Sequence, residues 1–402
     1  MKIKNIYIGS WFPKIKLHLD EFKQFLNDAT IHPELDKKKA KELFRKLRPQ
    51  NVYTDISAKG LTEIIAENQK GFTYSYYEDG LLLLKGKADN FRTSRGKIVD
   101  FYQNTLTPCL AYIFSRGARG LEIIRLPKLP KRIIATTEKA NKKSINNFFS
   151  KEKETIDESH KFGSFEVYFA ENIILINIKS KLSAGQIDNI VQEITFLTEI
   201  NRHLYWMLQT HRFVWEEARK ILDISYVQTK QLPKYIEKLT IDYKNVTNIN
   251  SRIDQMGVVL DARKESLTNI NNNKWHDYFN NKFQKTAMET KYIKKTFIMT
   301  SGFLKNNITY LSSLYQEISE EAIRRLQFLF LINVVSSFLV LGTIFGANIY
   351  WYQQGELIAQ GKIDSFNFSV LISFGFLTLL LSSIIYYFWN NIFKNLTRQF
   401  KK

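Results

Sequence analysis

The sequence predicts an α+β domain followed by a long helical stalk and two C-terminal transmembrane helices. Three observations point there. Short segments of alternating apolar and polar residues fill residues 1–182, a heptad seam without a proline leads up to residue 326, and two charge-free apolar runs close the chain.

The strand signals come first. MKIKNIYI alternates Ile3, Ile6 and Ile8 with polar neighbours, and Phe72 to Gly86 reads as a hairpin turning at Glu78-Asp79-Gly80. LEIIRL, RIIATT, SFEVYF and NIILINI are further strands, the last two joined at Ala170-Glu171-Asn172. Lys97 to Phe114 predicts a helix. Long antiparallel helices are expected over 183–273: Ser183 to Asp223 and Pro233 to Ala262, with an Asn-rich turn at Thr268 to Lys274.

The stalk, 274–325, follows from Leu304, Ile308, Leu311, Tyr315, Ile318 and Ala322, spaced alternately four and three apart. One helix from Trp275 to Gly346 would be about 108 Å long. A single apolar seam on such a helix must pack on something, either copies of itself about an axis or the preceding helices.

Leu326 to Phe345 carries no charge, and neither does Phe366 to Trp389. Each is long enough to cross a bilayer, which needs about 20 residues. The first span is placed at 326–348, an extracytoplasmic loop at 349–365, the second span at 366–389 and a basic cytosolic tail at 390–402. Tyr350, Trp351 and Tyr352, then Tyr386, Tyr387 and Trp389, supply aromatic belts. Arg324 and Arg325 precede the first span and Lys394, Arg398, Lys401 and Lys402 follow the second, whereas the loop holds only Lys362. The positive-inside rule therefore puts both chain ends in the cytoplasm.

The 402 residues carry a net charge of +19, and only five Lys or Arg and two Asp or Glu lie from Leu326 onward. The excess belongs to the cytosolic part and favours anionic partners. A lone cysteine, Cys109, forms no internal disulfide and suits a reducing compartment. The segment MKIKNIYIGSWF has no sustained apolar core and is not read as a signal peptide.

On a helical wheel at 100° per residue, Leu329, Ser336, Ser337, Val340, Ala347 and Asn348 fall within about 60° of Asn333. Small and polar residues thus share one face of the first span. Two readings fit: a hydrated pore lining about a symmetry axis, with Leu329 as a dry constriction, or serines bonded back to their own helix to allow close packing.

At the end of this span stand Gly346, Ala347 and Asn348. With the cytosolic α/β domain, stalk, two terminal spans and basic tail, they resemble the CorA-like magnesium and divalent-cation channels, whose first span ends in Gly-Met-Asn. The resemblance implies a homopentamer in the bacterial inner (plasma) membrane, with Asn348 facing a hydrated ion, Gly346 letting the helices turn, and magnesium as a transported ion. Ala347 stands in place of the family's methionine.

Basic residues surround the expected first helix: Arg92, Arg95 and Lys97 at its N-terminus, Arg116 and Arg119 at its end, then Arg125, Lys128, Lys131 and Arg132. A phosphate-bearing ligand fits the first five, since a helix N-terminus and glycine-flanked arginines favour anions. A solvated basic surface or contact with lipid headgroups fits them as well. A basic sensor beneath an altered Gly-x-Asn end resembles the CorA-like membrane effectors of type III CRISPR defence, which implies a nucleotide messenger such as S-adenosylmethionine-AMP.

No catalytic residues and no metal ligands are expected. The six histidines form no ligand spacing, and neither a phosphate-binding loop nor a nucleophile elbow occurs. The expectation is a non-enzyme: a ligand-gated channel, with a constitutive divalent-cation transporter or a non-transporting membrane scaffold as alternatives. A stable nucleic-acid complex is not expected.

Overall fold

The computed structural model describes residues 1–12, 19–33, 35–57, 60–115, 132–222, 231–266 and 273–358; for 114–115, 273 and 343–358 it describes the helical backbone only. Among these, nine strands form one mixed sheet: β1 (Ile3–Trp11), β2 (Pro49–Ile56), β3 (Thr62–Asn68), β4 (Phe72–Tyr77), β5 (Leu81–Lys87), β6 (Ile133–Glu138), β7 (Ile156–Lys161), β8 (Phe165–Ala170) and β9 (Ile173–Ile178). Their order is β2-β3-β4-β5-β1-β6-β9-β8-β7, antiparallel except for the parallel pair β6 and β9.

Helices α1 (Leu19–Asp28), α2 (Lys37–Leu47), α3 (Phe91–Phe101), α4 (Thr107–Ser115) and α5 (Lys142–Lys151) share one hydrophobic core with the sheet. Phe25, Leu43, Phe101, Leu110 and Phe149 meet Ile6, Ile8, Tyr76 and Leu175 there. The alternation of β1 sends Ile6, Ile8 and Ser10 toward this side. Its other face meets α6 (Ala184–Leu222): the Tyr7 hydroxyl donates to Asp188 Oδ1 at 3.0 Å, and Trp11 lies edge-on to Phe196. Both faces of β1 are covered, so Ile6 through Trp11 are all buried rather than alternating, as in central strands.

Two glycines are required by geometry. A Cβ on Gly9 would stand 2.2 Å from Thr195 Cγ2, so α6 lies against β1 only because that side chain is missing. Gly80 holds φ +92 in the β4–β5 turn, and a Cβ there would reach 1.9 Å from the Phe12 carbonyl oxygen.

The chain divides into two compact units, Met1–Ser225 with Glu237–Ile308, and Tyr226–Ile236 with Thr309–Lys402. The boundary expected at residue 182 falls inside the first. Within that unit, α7 (Leu232–Glu265) brings Arg263 to Asp79 of the β4–β5 turn, and α8 (Asn273–Ile358) begins against the sheet. Trp275 sits 5.0 Å from both Phe162 and Phe165, and farther along α8 Phe303 stacks on Trp215 at 4.4 Å. Burial of aromatics this size contributes on the order of 2–3 kcal/mol each.

Three expectations need correction. The first helix begins at Phe91, not Lys97, because the Asn90 side chain accepts from Arg92 N and Thr93 N and so caps it. The helix then passes through a π turn, Tyr102–Leu106, where the Thr107 amide bonds the Tyr102 carbonyl. Pro108 explains it: proline has no N–H and its ring clashes with the carbonyl four residues back. Finally, α8 does not stop or turn at Gly346; its helical backbone continues through Gly346, Ala347 and Asn348 to Ile358. A single glycine costs a helix about 1 kcal/mol relative to alanine, too little to end one this long. The expected strand 121–126 and second span 366–389 lie outside the described residues.

Candidate pore face and anion-binding residues

From Leu326 to Gly342 α8 carries no charge, and its described side chains are exposed or half-exposed. It is long and apolar enough to cross a membrane, and none of its most apolar window is buried. Phe330 and Phe338 are 70% and 69% exposed. Leu329 and Ser336 are half-exposed, whereas Asn333, Ser337 and Val340 are exposed. The Ser337 hydroxyl donates to the Asn333 carbonyl at 2.8 Å, so this serine is satisfied within its own helix. Asn333 and Ser336 keep their side-chain polar groups for a partner or water. Only the backbone of Gly346, Ala347 and Asn348 is described.

The basic residues before this segment carry their own counter-charges. Arg325 Nη2 lies 2.6 Å from Glu321 and Arg324 Nη2 3.8 Å from Glu320, both one helical turn away. The positive charge that the sequence places at the inner end is therefore matched locally.

Of the five residues expected to bind an anion, the structure brings Arg92 and Arg95 together, but on a carboxylate. Arg92 Nε lies 2.9 Å and Arg95 Nη1 3.6 Å from Glu152, whose side chain is 9% exposed at the end of α5. Arg92 also donates to the Lys151 carbonyl. With Asn90 on the helix amides, the N-terminus of α3 is occupied by the protein itself. Lys97 is exposed on the same helix. Arg116 and Arg119 lie outside the described residues, as do Arg125, Lys128 and Lys131; Arg132 Nε donates to the Glu171 carbonyl at 3.3 Å.

A second basic region escaped the sequence analysis. A groove of about 510 Å³ is lined by Glu42, Arg45, Lys46 and Arg48 of α2 and its C-terminal end, Asn68, Gln69 and Lys70 at the β3–β4 turn, and Phe101 and Thr105 beside it. The signal was present in KKKAKELFRKLR, Lys37 to Arg48, seven bases in twelve residues. What joins it to Lys70 and Thr105 is the fold.

Other titratable groups serve packing. His203 is buried, its Nε2 3.0 Å from the Trp11 carbonyl, and burial reinforced by Arg202 lowers its pKa to about 4. Burial pushes the Cys109 thiol up to about 12, so it stays protonated. Among the described residues no group of three His, Cys, Asp or Glu is placed to hold a metal ion.

No protein-family model matches the chain. No curated protein matches it either. Among solved structures, the CorA magnesium transporter from Methanocaldococcus jannaschii is similar, with a TM-score of 0.27 and 12% identity over 66% of this chain and 92% of that one. A likeness of that size assigns no role to any residue here, and the site rests on its own geometry.

Proposed function

We propose that the chain is a subunit of a CorA-like homopentameric ion channel, built by copies of α8 gathering about an axis with Leu329, Asn333, Ser336 and Val340 inward. The observation that supports this most is the surface of α8 itself. An exposed apolar helix carries an asparagine and a serine whose side chains have no partner among the described residues, and in a bilayer such groups need water or a neighbouring helix. In this reading the protein lies in an inner membrane with the basic domain in the cytoplasm, which the apolar surface of α8 supports. Within this reading the domain responds to an anionic, nucleotide-type ligand such as S-adenosylmethionine-AMP, in an antiviral role, and the protein is not an enzyme. Proteoliposomes containing the full chain test it. Ion flux that falls on Asn333→Leu is expected; a dimeric protein with no flux under any condition would leave only the membrane scaffold.

A constitutive divalent-cation transporter is the second reading. It is favoured by the engagement of Arg92 and Arg95 with Glu152, which gives two of the five expected anion contacts a counter-charge within the protein. Flux of equal size with and without any nucleotide would select it.

A further inference from the structure

The groove between α2, the β3–β4 turn and the π turn differs from an ordinary solvated basic face in three ways. Its charges are not compensated. Lys46 is paired with Glu42 at 2.7 Å, but Arg45, Arg48 and Lys70 make no ion pair among the described residues. The end of the α2 dipole offsets only about half a charge, so roughly two and a half positive charges remain.

Next, the two walls are set in place. Arg48 ends α2 in the left-handed conformation, φ 48, where glycine or asparagine is usual. Its Nε donates to the Arg45 carbonyl at 3.3 Å and its Nη1 to Gln69 Oε1 at 2.9 Å, which spans the guanidinium across the groove. On the far side, the buried Asn68 carboxamide oxygen accepts from Lys70 N and Phe72 N, fixing the turn that carries Lys70. An arginine held this way keeps unspent N–H donors and has little rotamer freedom left to lose on binding.

The third difference is size. About 510 Å³, with an adjoining hollow of about 390 Å³ that shares Arg45, Arg48 and Gln69, exceeds what a single inorganic ion fills and falls in the usual range for small-molecule sites. Thr105 adds a hydroxyl that can donate to an oxyanion, and Phe101 an apolar floor.

We infer that this groove binds a multiply charged phosphate group, with Arg45, Arg48 and Lys70 as its charged contacts. The group belongs either to a free phosphate ester or to an anionic lipid headgroup. The inference rests on the proposed function for any link to gating, but binding here is measured without flux, so the two fail separately.

The test uses the full chain in a phosphate-free detergent, titrated calorimetrically with inorganic triphosphate, and amine-reactive labelling of Lys70 read by mass spectrometry. Saturable binding that weakens about tenfold or more in Arg45→Gln/Arg48→Gln is expected, as is weakening at high salt. Lys142→Gln/Lys143→Gln removes equal charge from exposed α5 and should leave binding within about twofold. Protection of Lys70 in proteoliposomes containing phosphatidic acid, without triphosphate, identifies a lipid source; protection by triphosphate alone identifies a free ester. Absence of both kinds of protection overturns the inference, and so does an equal loss in the α5 control. An unchanged thermal midpoint for Arg45→Gln/Arg48→Gln shows that the loss is not unfolding.

Discussion

Arg263 of α7 holds the Asp79 carboxylate of the β4–β5 turn in an ion pair that solvent does not reach, with the guanidinium 4.4 Å over the Phe196 ring and Glu193 3.8 Å away. Asp79 is fixed in turn, its carbonyl accepting from Trp11 Nε1 and its other carboxylate oxygen from Leu81 N. Arg263→Met leaves two buried carboxylates facing an apolar side chain. A loss of about 3–5 kcal/mol is expected from denaturant unfolding. Adding Asp79→Asn should recover part of it; a double variant that is additive would show that the two residues are not coupled.

His203 predicts a pH dependence. Its folded pKa, about 4, lies below the ordinary 6.5, so the unfolded chain takes up the proton first. The contribution of the neutral, bonded imidazole is complete above pH 6.5, falls as pH drops toward 4, and changes no further below that. It amounts to on the order of 3 kcal/mol at most. His203→Gln should flatten the fall of the thermal midpoint between pH 7 and 4.5. His211, whose pKa is also lowered by burial, keeps a smaller slope in the variant.

At Gly9 the expected effect is steric. Gly9→Ala should cost about 1–3 kcal/mol, since Thr195 and the Leu82 carbonyl both crowd the new methyl. Thr195→Ser removes the Cγ2 and should restore a good part; no rescue would place the clash with β5 instead.

Along α8 Ser337 should behave differently from Asn333. Ser337→Ala removes a hydroxyl already satisfied by the Asn333 carbonyl and should change flux by less than about twofold. Asn333→Leu removes a polar group with no partner among the described residues and should reduce flux by about tenfold or more. Equal effects would argue that the face packs rather than conducts.

Arg48 links stability to binding. Arg48→Gly relieves a left-handed arginine and should leave stability unchanged or raise it by up to about 1 kcal/mol. Triphosphate affinity should fall at the same time. A variant both less stable and equally able to bind would contradict the role given to this residue.

Legibility followed burial. The strands β1, β6, β8 and β9 and the β4–β5 hairpin were readable because their apolar residues face a core, and α6, α7 and α8 because their patterns are long. The edge strands β2 and β7, PQNVYTDI and IDESHK, are mostly exposed and carry no apolar period, so nothing in them announces a strand. The short helices α1, α2 and α5 were also missed. Arg92 and Arg95 show the limit for sites: the arginines at a helix N-terminus are legible in the sequence, but the carboxylate of Glu152, sixty residues on, that the fold sets against them is not.

The position of β1 also sets a condition on biosynthesis. It precedes both its neighbours in the chain, pairing with β5 around Leu81–Lys87 and with β6 around Ile134–Thr137. As the ribosome advances, IYIGSW must wait for about a hundred and thirty residues before both its edges are occupied, with its apolar side chains unsheltered meanwhile. Such a nascent strand is a natural client for a chaperone, and slowing translation just after Lys87 should lower the yield of folded protein.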